Sequence, residues 1–117
     1  MQLSEKTILV VEDEADIRDS LVEFLEEEGY RVEAAGDGRA ALEKLACIGG
    51  PCLVLLDLAM PVMTGAEAWR AMQANPALAN IPVIVSTSDP SKAPEGLPIL
   101  KKPFDLDRLL AALRSAL

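Results

Sequence analysis

Short apolar runs alternate with longer amphipathic stretches along the chain. The first run, 7–11, is a continuous apolar and β-branched segment, which is typical of a strand buried on both faces of a parallel sheet. Apolar residues then recur at helical spacing from Ile17 to Leu25, and Gly29 stands where a helix C-cap is expected. The pattern therefore predicts a strand followed by a helix.

The same alternation continues to the end of the chain. We predict further strands at 30–35, 52–56, 82–87 and, more weakly, 98–101. Further helices are predicted at 39–48, from 64 to about 75, and from about 105 onward. The segment 88–97 contains two prolines and one glycine, so we expect a loop there, with at most one helical turn. This alternation predicts an α/β fold, a doubly wound sandwich with helices on both faces of a parallel sheet.

Polar residues follow several of the predicted strands. Sheets of this kind bind ligands at the carboxyl ends of their strands, near the switch in strand order. The residues at those ends are Glu12, Asp13, Asp57, Thr87 and Lys102. Taken singly, the two acids at 12 and 13 could cap a helix, and the threonine and lysine could be an ordinary strand residue and a solvated one. Only their shared location favours a site.

The three carboxylates would meet if the first and third strands are neighbours. Two like charges ~4 Å apart repel by about 4 kcal/mol at an effective dielectric near 20, so such a cluster is expected to hold a cation. Mg²⁺ suits hard oxygen ligands. We expect Asp13 and Asp57 to bind it directly, Glu12 to act mainly through water, and the backbone carbonyl of Ala59 to complete the set.

The same residues suit phosphoryl transfer. A lysine ammonium and a threonine hydroxyl can each bind a phosphoryl oxygen, which gives Lys102 and Thr87 a role beside the metal. Aspartate carboxylates can act as nucleophiles and form acyl phosphates. Asp57 is therefore the predicted nucleophile.

Composition excludes several other classes of function. The 117 residues carry a net charge of −8, which is the wrong sign for a protein that binds a nucleic-acid backbone. The absence of histidine excludes Ser/His and Cys/His catalytic pairs within the chain. Cys47 and Cys52 have no redox-motif spacing, so we expect buried, reduced thiols. The length predicts one domain, 1–117, and with no long apolar run or leader we expect a soluble, cytoplasmic protein without membrane contact.

Four segments together carry a resemblance to a known family. They are 8–14 (ILVVEDE), 57–65 (DLAMPVMTG), 82–87 (PVIVST) and 101–104 (KKPF). With these segments in this order, the chain resembles a bacterial two-component response-regulator receiver domain of the CheY-like kind. The resemblance covers essentially the whole chain and implies a flavodoxin-like, five-stranded parallel sheet of strand order 2-1-3-4-5.

The resemblance also implies a function and the roles of single residues. It implies phosphorelay signalling, in which a histidine kinase or a histidine phosphotransfer protein donates a phosphoryl group to Asp57. The implied Mg²⁺ ligands are Glu12, Asp13 and Asp57 with the carbonyl of Ala59. Thr87 and Lys102 carry over as the switch hydroxyl and the phosphate-binding lysine, and the Lys102–Pro103 peptide bond is expected to be cis.

The chain departs from the family pattern between the fourth and fifth strands. Fourteen residues lie between Thr87 and Lys102, which is about seven fewer than usual, or roughly two helical turns. The family's helix 4 is therefore expected to be truncated or absent, as in receivers that are fused to hybrid kinases or stand alone. Ile99 replaces the usual aromatic switch residue. Ala59 and Asp89 occupy the positions where relatives place side chains that orient or obstruct the attacking water. Alanine cannot hydrogen-bond that water, whereas Asp89 can, and we expect moderate to slow autodephosphorylation.

Two other functions compete with the signalling receiver. A haloacid-dehalogenase-like phosphatase would need a general acid at the position of Ala59, so it is disfavoured. A degenerate receiver that only binds proteins would not need the full set of site residues. We expect a phosphoacceptor module rather than an enzyme with a separate substrate, and output through contacts with an unidentified protein.

Overall fold

Five parallel strands form one sheet with the order β2-β1-β3-β4-β5. The computed structural model describes residues 7–48, 52–60 and 62–117. The strands are β1 (Thr7–Val11), β2 (Arg31–Ala35), β3 (Cys52–Asp57), β4 (Val83–Thr87) and β5 (Ile99–Lys101). The fold class and the strand order implied by the resemblance are confirmed.

The helices cover both faces of this sheet. They are α1 (Ala15–Glu27), α2 (Gly38–Cys47), α3 (Gly65–Ala74) and α4 (Leu106–Ala116). One apolar core lies between the sheet and the pair α2 and α3, and the other lies between the sheet and the pair α1 and α4. Successive residues of β1 alternate between the two cores, with Leu9 in the first and Ile8 in the second. This double burial explains why the strand sequence is continuously apolar.

The connection between β4 and β5 contains only a 3-10 turn, Pro90–Lys92. The predicted loss of the helix at this place is confirmed. We call residues 88–98 the β4–β5 segment. Its residues Ala93 and Leu97 are partly buried against the core beneath α2 and α3. The segment therefore covers part of the sheet face where a full helix would otherwise pack.

Cys47 contradicts the expectation of buried thiols, because it is exposed and reduced. Helix α2 buries Ala41 and Leu45 on its core stripe. Cys47 is two residues beyond Leu45, about 200° around the helix, so it lies on the opposite side. The side chain of Cys52 and the glycines at 49–50, which follow the predicted helix 39–48, lie outside the described residues. No helix within the described ranges is long and apolar enough to cross a membrane.

Candidate functional site

The sheet register places the predicted site residues along one edge. Val11 of β1 pairs with Leu56 of β3, so the residues that follow them, Glu12 and Asp57, leave adjacent strands side by side. Thr87 ends β4 and pairs with Lys101 of β5. Lys102 therefore emerges from the sheet next to Thr87, and its N–H donates a hydrogen bond of 2.8 Å to the Thr87 carbonyl.

Three carboxylates converge at this edge. One carboxylate oxygen each from Glu12, Asp13 and Asp57 lies within 4.8 Å of the other two. Glu12 and Asp57 are both 3% exposed, whereas Asp13 is exposed. The chain thus holds two buried acids and one solvent-facing acid within the reach of a single small ion. Hard oxygen donors at this spacing fit a divalent cation such as Mg²⁺.

Lys102 is the cation that the protein itself supplies to the two buried acids. Its Nζ donates a hydrogen bond of 3.1 Å to Glu12 Oε1 and lies 3.4 Å from Asp57 Oδ1. One ammonium pairs with two of the three carboxylates of the cluster, which leaves the ionised cluster with an excess of two negative charges. The acids remain under-neutralised unless a further cation binds.

Burial and the charges of the cluster both shift the pKa values of Asp57 and Lys102. Burial and the charge of Glu12 raise the pKa of Asp57 from its ordinary 3.8 to about 6, and Lys102 and the Ala59 N–H only partly oppose this. For Lys102, burial acts to lower the pKa. The hydrogen bond to Glu12 and the charge of Asp57 outweigh burial, so that its pKa lies above the ordinary value. The ionised form of Asp57 is therefore destabilised in this site, and a cation that neutralises it would bind favourably.

The backbone around Glu12 is held by a residue outside the predicted set of site residues. Arg18, on the first turns of α1, donates a hydrogen bond of 2.8 Å to the Glu12 carbonyl. The Glu12 side chain also accepts a hydrogen bond of 3.2 Å from the Glu14 N–H. Arg18 is the only basic residue between positions 12 and 28. That isolation in an acidic stretch is the signal that could have identified it.

The loop after β3 passes unusually close to the strand end. A Cβ added to Gly65 would lie 2.8 Å from the Leu58 Cα and would also collide with the Asp57 carbonyl. The Gly65 N–H donates a hydrogen bond of 3.1 Å to the Leu58 carbonyl. The Ala59 N–H donates one of 3.3 Å to Asp57 Oδ1. Gly65 therefore allows α3 to begin against the backbone that carries Asp57, a constraint that was not apparent from the motif alone.

Thr87 is buried and engaged with the turn that follows it. Its Oγ1 accepts a hydrogen bond of 3.0 Å from the Asp89 N–H and donates one of 3.3 Å to the Asp89 carbonyl. Asp89 Oδ1 in turn accepts hydrogen bonds from the N–H and the hydroxyl of Ser91, at 3.2 and 2.6 Å. In this structure the Asp89 carboxylate caps the 3-10 turn, and its expected hydrogen bond to the attacking water stays a prediction.

Comparison with known families matches residues 8–114 to the response regulator receiver domain. The chain belongs to this family. Receiver domains of two-component response regulators are signalling modules in phosphorelay pathways rather than classical enzymes. The Lys102–Pro103 peptide bond of this receiver is cis, as the resemblance implied.

Individual relatives support the same assignment. The response regulator MprA of Mycolicibacterium vanbaalenii is 38% identical over 115 residues, which cover 94% of this chain and 49% of MprA. The chain spans about half the length of the first curated relatives that it matches.

Solved structures of receivers superpose on this one. The chemotaxis protein CheY4 of Vibrio cholerae has a TM-score of 0.84 and 32% identity, over 96% of this chain and 98% of CheY4. TrrA of Thermotoga maritima, solved in complex with Mg²⁺-BeF, has a TM-score of 0.83 and 31% identity, over 96% of this chain and 99% of TrrA. The fold is therefore that of CheY-like receivers.

Proposed function

We propose that this receiver accepts a phosphoryl group on Asp57 from a histidine kinase or a histidine phosphotransfer protein, in the presence of Mg²⁺. The observation that carries the proposal is the placement of Asp57. Its carboxylate is buried, lies 3.4 Å from the Lys102 ammonium, and shares a cluster with two further acids. The phosphorylated receiver would then change its contacts with another protein.

The proposed transfer uses the carboxylate of Asp57 as the nucleophile. Its Oδ attacks the phosphorus of a phosphohistidine, the P–N bond breaks, and its electron pair remains on the imidazole nitrogen that leaves. An acyl phosphate forms on Asp57. The attacking carboxylate must be ionised, so transfer is favoured above the raised pKa of about 6.

Lys102 and Thr87 are the residues proposed to bind the phosphoryl oxygens. The Lys102 ammonium is already within 3.4 Å of Asp57 and can follow the negative charge from the carboxylate to the phosphoryl group. The Thr87 hydroxyl ends the neighbouring strand and can donate one hydrogen bond. Because phosphoryl transfer depends mainly on positioning and charge stabilisation, these two contacts supply much of what the protein must contribute.

The acidic cluster is proposed to hold Mg²⁺. Asp13 and Asp57 would bind it directly, with Glu12 through water and the carbonyl of Ala59 as a further ligand. The three carboxylates lie close enough together to share one ion. When bound, Mg²⁺ supplies the positive charge that offsets the anionic carboxylates and phosphoryl oxygens.

Phosphorylation by a small donor tests this proposal directly. The protein is incubated with acetyl phosphate and Mg²⁺, and its intact mass is compared with those of Asp57→Asn and Asp107→Asn. Asp107 is an exposed acid in the first turn of α4 and serves as the matched control. We expect the wild type and Asp107→Asn to gain one phosphate and Asp57→Asn to gain none. Equal labelling of Asp57→Asn, or no labelling of the wild type, would contradict the proposal.

A further inference from the structure

A turn follows the end of β4, and several of its hydrogen bonds involve one residue, Asp89. We call residues 87–92 the Asp89 turn. The Asp89 N–H donates to Thr87 Oγ1, and the Asp89 carbonyl accepts from both Thr87 Oγ1 and the Lys92 N–H, the latter at 3.1 Å. The Asp89 carboxylate accepts from Ser91 twice, through its N–H and its hydroxyl. Asp89 thus connects the Thr87 hydroxyl to Ser91.

The Thr87 hydroxyl has a single proton to donate. In this structure the Thr87 hydroxyl donates to the Asp89 carbonyl, with 3.3 Å between the two oxygens, and its oxygen accepts from the Asp89 N–H. A phosphoryl oxygen on Asp57 would need the same proton. Rotation of the Thr87 side chain toward the phosphoryl group removes the partner of the Asp89 N–H. The intact Asp89 turn and the phosphoryl contact therefore compete for one hydroxyl group.

Ser91 stabilises the intact Asp89 turn, which is the arrangement in this structure. Its hydroxyl donates a hydrogen bond of 2.6 Å to the Asp89 carboxylate, which is a short, charge-assisted contact. We propose that Ser91, acting through Asp89, is a positioning residue that holds the Thr87 hydroxyl in the Asp89 turn and thereby weakens retention of a phosphoryl group. This inference rests on the proposed function of Asp57.

The hydrogen-bonded connection from Thr87 through Asp89 to Ser91 matters because of the structure of the β4–β5 segment. The segment lacks a full helix, and Asp89 caps its one turn, Pro90–Lys92. Ile99 is 44% exposed at the start of β5 and has no hydroxyl or ring with which to relay a change at Thr87. The hydrogen bonds of Asp89 therefore provide the direct link between Thr87 and the segment.

Binding of beryllofluoride in the presence of Mg²⁺ tests the proposal. Titration calorimetry compares the wild type with Ser91→Ala, with Ser91→Thr, and with Ser115→Ala as a control at an exposed serine of α4. Loss of the Ser91 hydroxyl is expected to tighten binding by about two- to fivefold, the range that one partly solvated hydrogen bond contributes. Ser91→Thr, which keeps a hydroxyl, and Ser115→Ala are expected to match the wild type.

A double-mutant cycle separates this role from a general effect on stability. Ser91→Ala is combined with Thr87→Val, which has no hydroxyl to compete for, and the effect of Ser91→Ala is expected to disappear in that background. An unchanged affinity of Ser91→Ala, or the same change with and without the Thr87 hydroxyl, would overturn the inference and leave the proposed function intact. A wild type that neither binds beryllofluoride nor takes up phosphate would overturn both.

Discussion

Asp57 carries an unfavourable charge when no divalent cation is present. Its pKa is raised from 3.8 to about 6, so the folded protein binds this proton more tightly than the unfolded chain does. The contribution of this group to the free energy of unfolding is therefore fully present below the unfolded pKa of 3.8, and it is lost as the pH rises through the folded pKa of about 6. The ionised Asp57 carboxylate therefore lowers the stability of the protein when no cation is bound.

Because the raised pKa makes the ionised Asp57 destabilising above about pH 6, Asp57→Asn should be more stable than the wild type there. In buffer with a chelator at about pH 7.5, we expect the variant to have a larger free energy of unfolding than the wild type, by roughly 1 kcal/mol or more. The difference should shrink toward about pH 4, where the wild-type carboxyl is protonated. Urea unfolding at both pH values measures it. A variant that is less stable than the wild type at the higher pH would contradict this account.

Val62 has an unfavourable backbone conformation in the loop after β3. Its φ of 67° lies in the left-handed region, and its side chain is 73% exposed. A β-branched residue is strained there by ~1–3 kcal/mol, and an exposed side chain offers little packing in return.

Relief of this strain should stabilise the protein. We expect Val62→Asn to raise the free energy of unfolding by about 0.5–1 kcal/mol, because asparagine adopts positive φ more readily. Val62→Ala removes the branch but keeps an L-residue without a local hydrogen-bonding group, so it should gain less. Thermal and urea unfolding test the order of the three proteins, and an asparagine variant less stable than wild type would show that the loop is not strained.

At the scale of elements, helix α3 begins at a capping box next to the site loop. Thr64 Oγ1 accepts a hydrogen bond from the Glu67 N–H, and the Glu67 carboxylate accepts one from the Thr64 N–H. These bonds satisfy two backbone donors at the start of the helix. They also fix the residue before Gly65, whose N–H donates a hydrogen bond to the Leu58 carbonyl.

Removal of this cap is expected to lower stability. Thr64→Ala should reduce the free energy of unfolding by about 1 kcal/mol, and Thr64→Ser, which keeps the hydroxyl, should lose much less. Chemical denaturation of the three proteins measures both differences. An alanine variant as stable as the serine variant would show that the box contributes nothing.

The β4–β5 segment has a natural reporter in Trp69, the only tryptophan of the chain. Trp69 lines the same groove as Leu97 and Pro98 of the segment. If the segment moves when the Thr87 hydroxyl turns to a phosphoryl group, the surroundings of the indole change.

We therefore expect beryllofluoride with Mg²⁺ to alter the fluorescence of Trp69 in the wild type. Asp57→Asn, which cannot form the adduct, should show no change beyond that caused by Mg²⁺ alone. Emission spectra recorded with and without beryllofluoride make the comparison. Identical spectra for the saturated and ligand-free wild type would show that the segment does not respond near Leu97.

Much of the element pattern was predictable from the chain alone, for identifiable physical reasons. A strand such as β1 is buried on both faces and must be continuously apolar, whereas α1 shows its core stripe by spacing. Pro90, Pro94 and Gly96 indicated the missing helix. The hydrogen bonds between Thr87, Asp89 and Ser91 could not be predicted, because they depend on side-chain rotamers within a turn rather than on periodicity.

At the scale of the whole molecule, the acidic cluster depends on residues from distant parts of the chain. The types and strand-end positions of Glu12, Asp13 and Asp57 made their convergence predictable once a parallel sheet was assumed. The support from Arg18 and the close approach at Gly65 were not predictable in the same way. They depend on how a helix and a loop lie against the strand ends, which no local pattern specifies.

The charge excess of the cluster predicts stabilisation by a divalent cation. Mg²⁺ at millimolar concentration should raise the melting temperature of the protein by more than NaCl of matched ionic strength, because it binds the folded state selectively. A chelator should reverse the effect, and Asp13→Asn should lose most of it, whereas Asp107→Asn should keep it. Differential scanning calorimetry measures these shifts. Equal stabilisation by Mg²⁺ and NaCl would show that no specific ion site exists.

The contact between Lys102 and Glu12 joins residues 90 positions apart. During translation, a chain leaving the ribosome exposes the acid pair early, but it has no ammonium beside Asp57 until the last strand has emerged and docked. Under the proposed function, a phosphodonor that arrived earlier would thus meet an incomplete pocket. The proposed phosphoacceptor pocket is therefore complete only after the chain has been synthesised through β5 and Lys102.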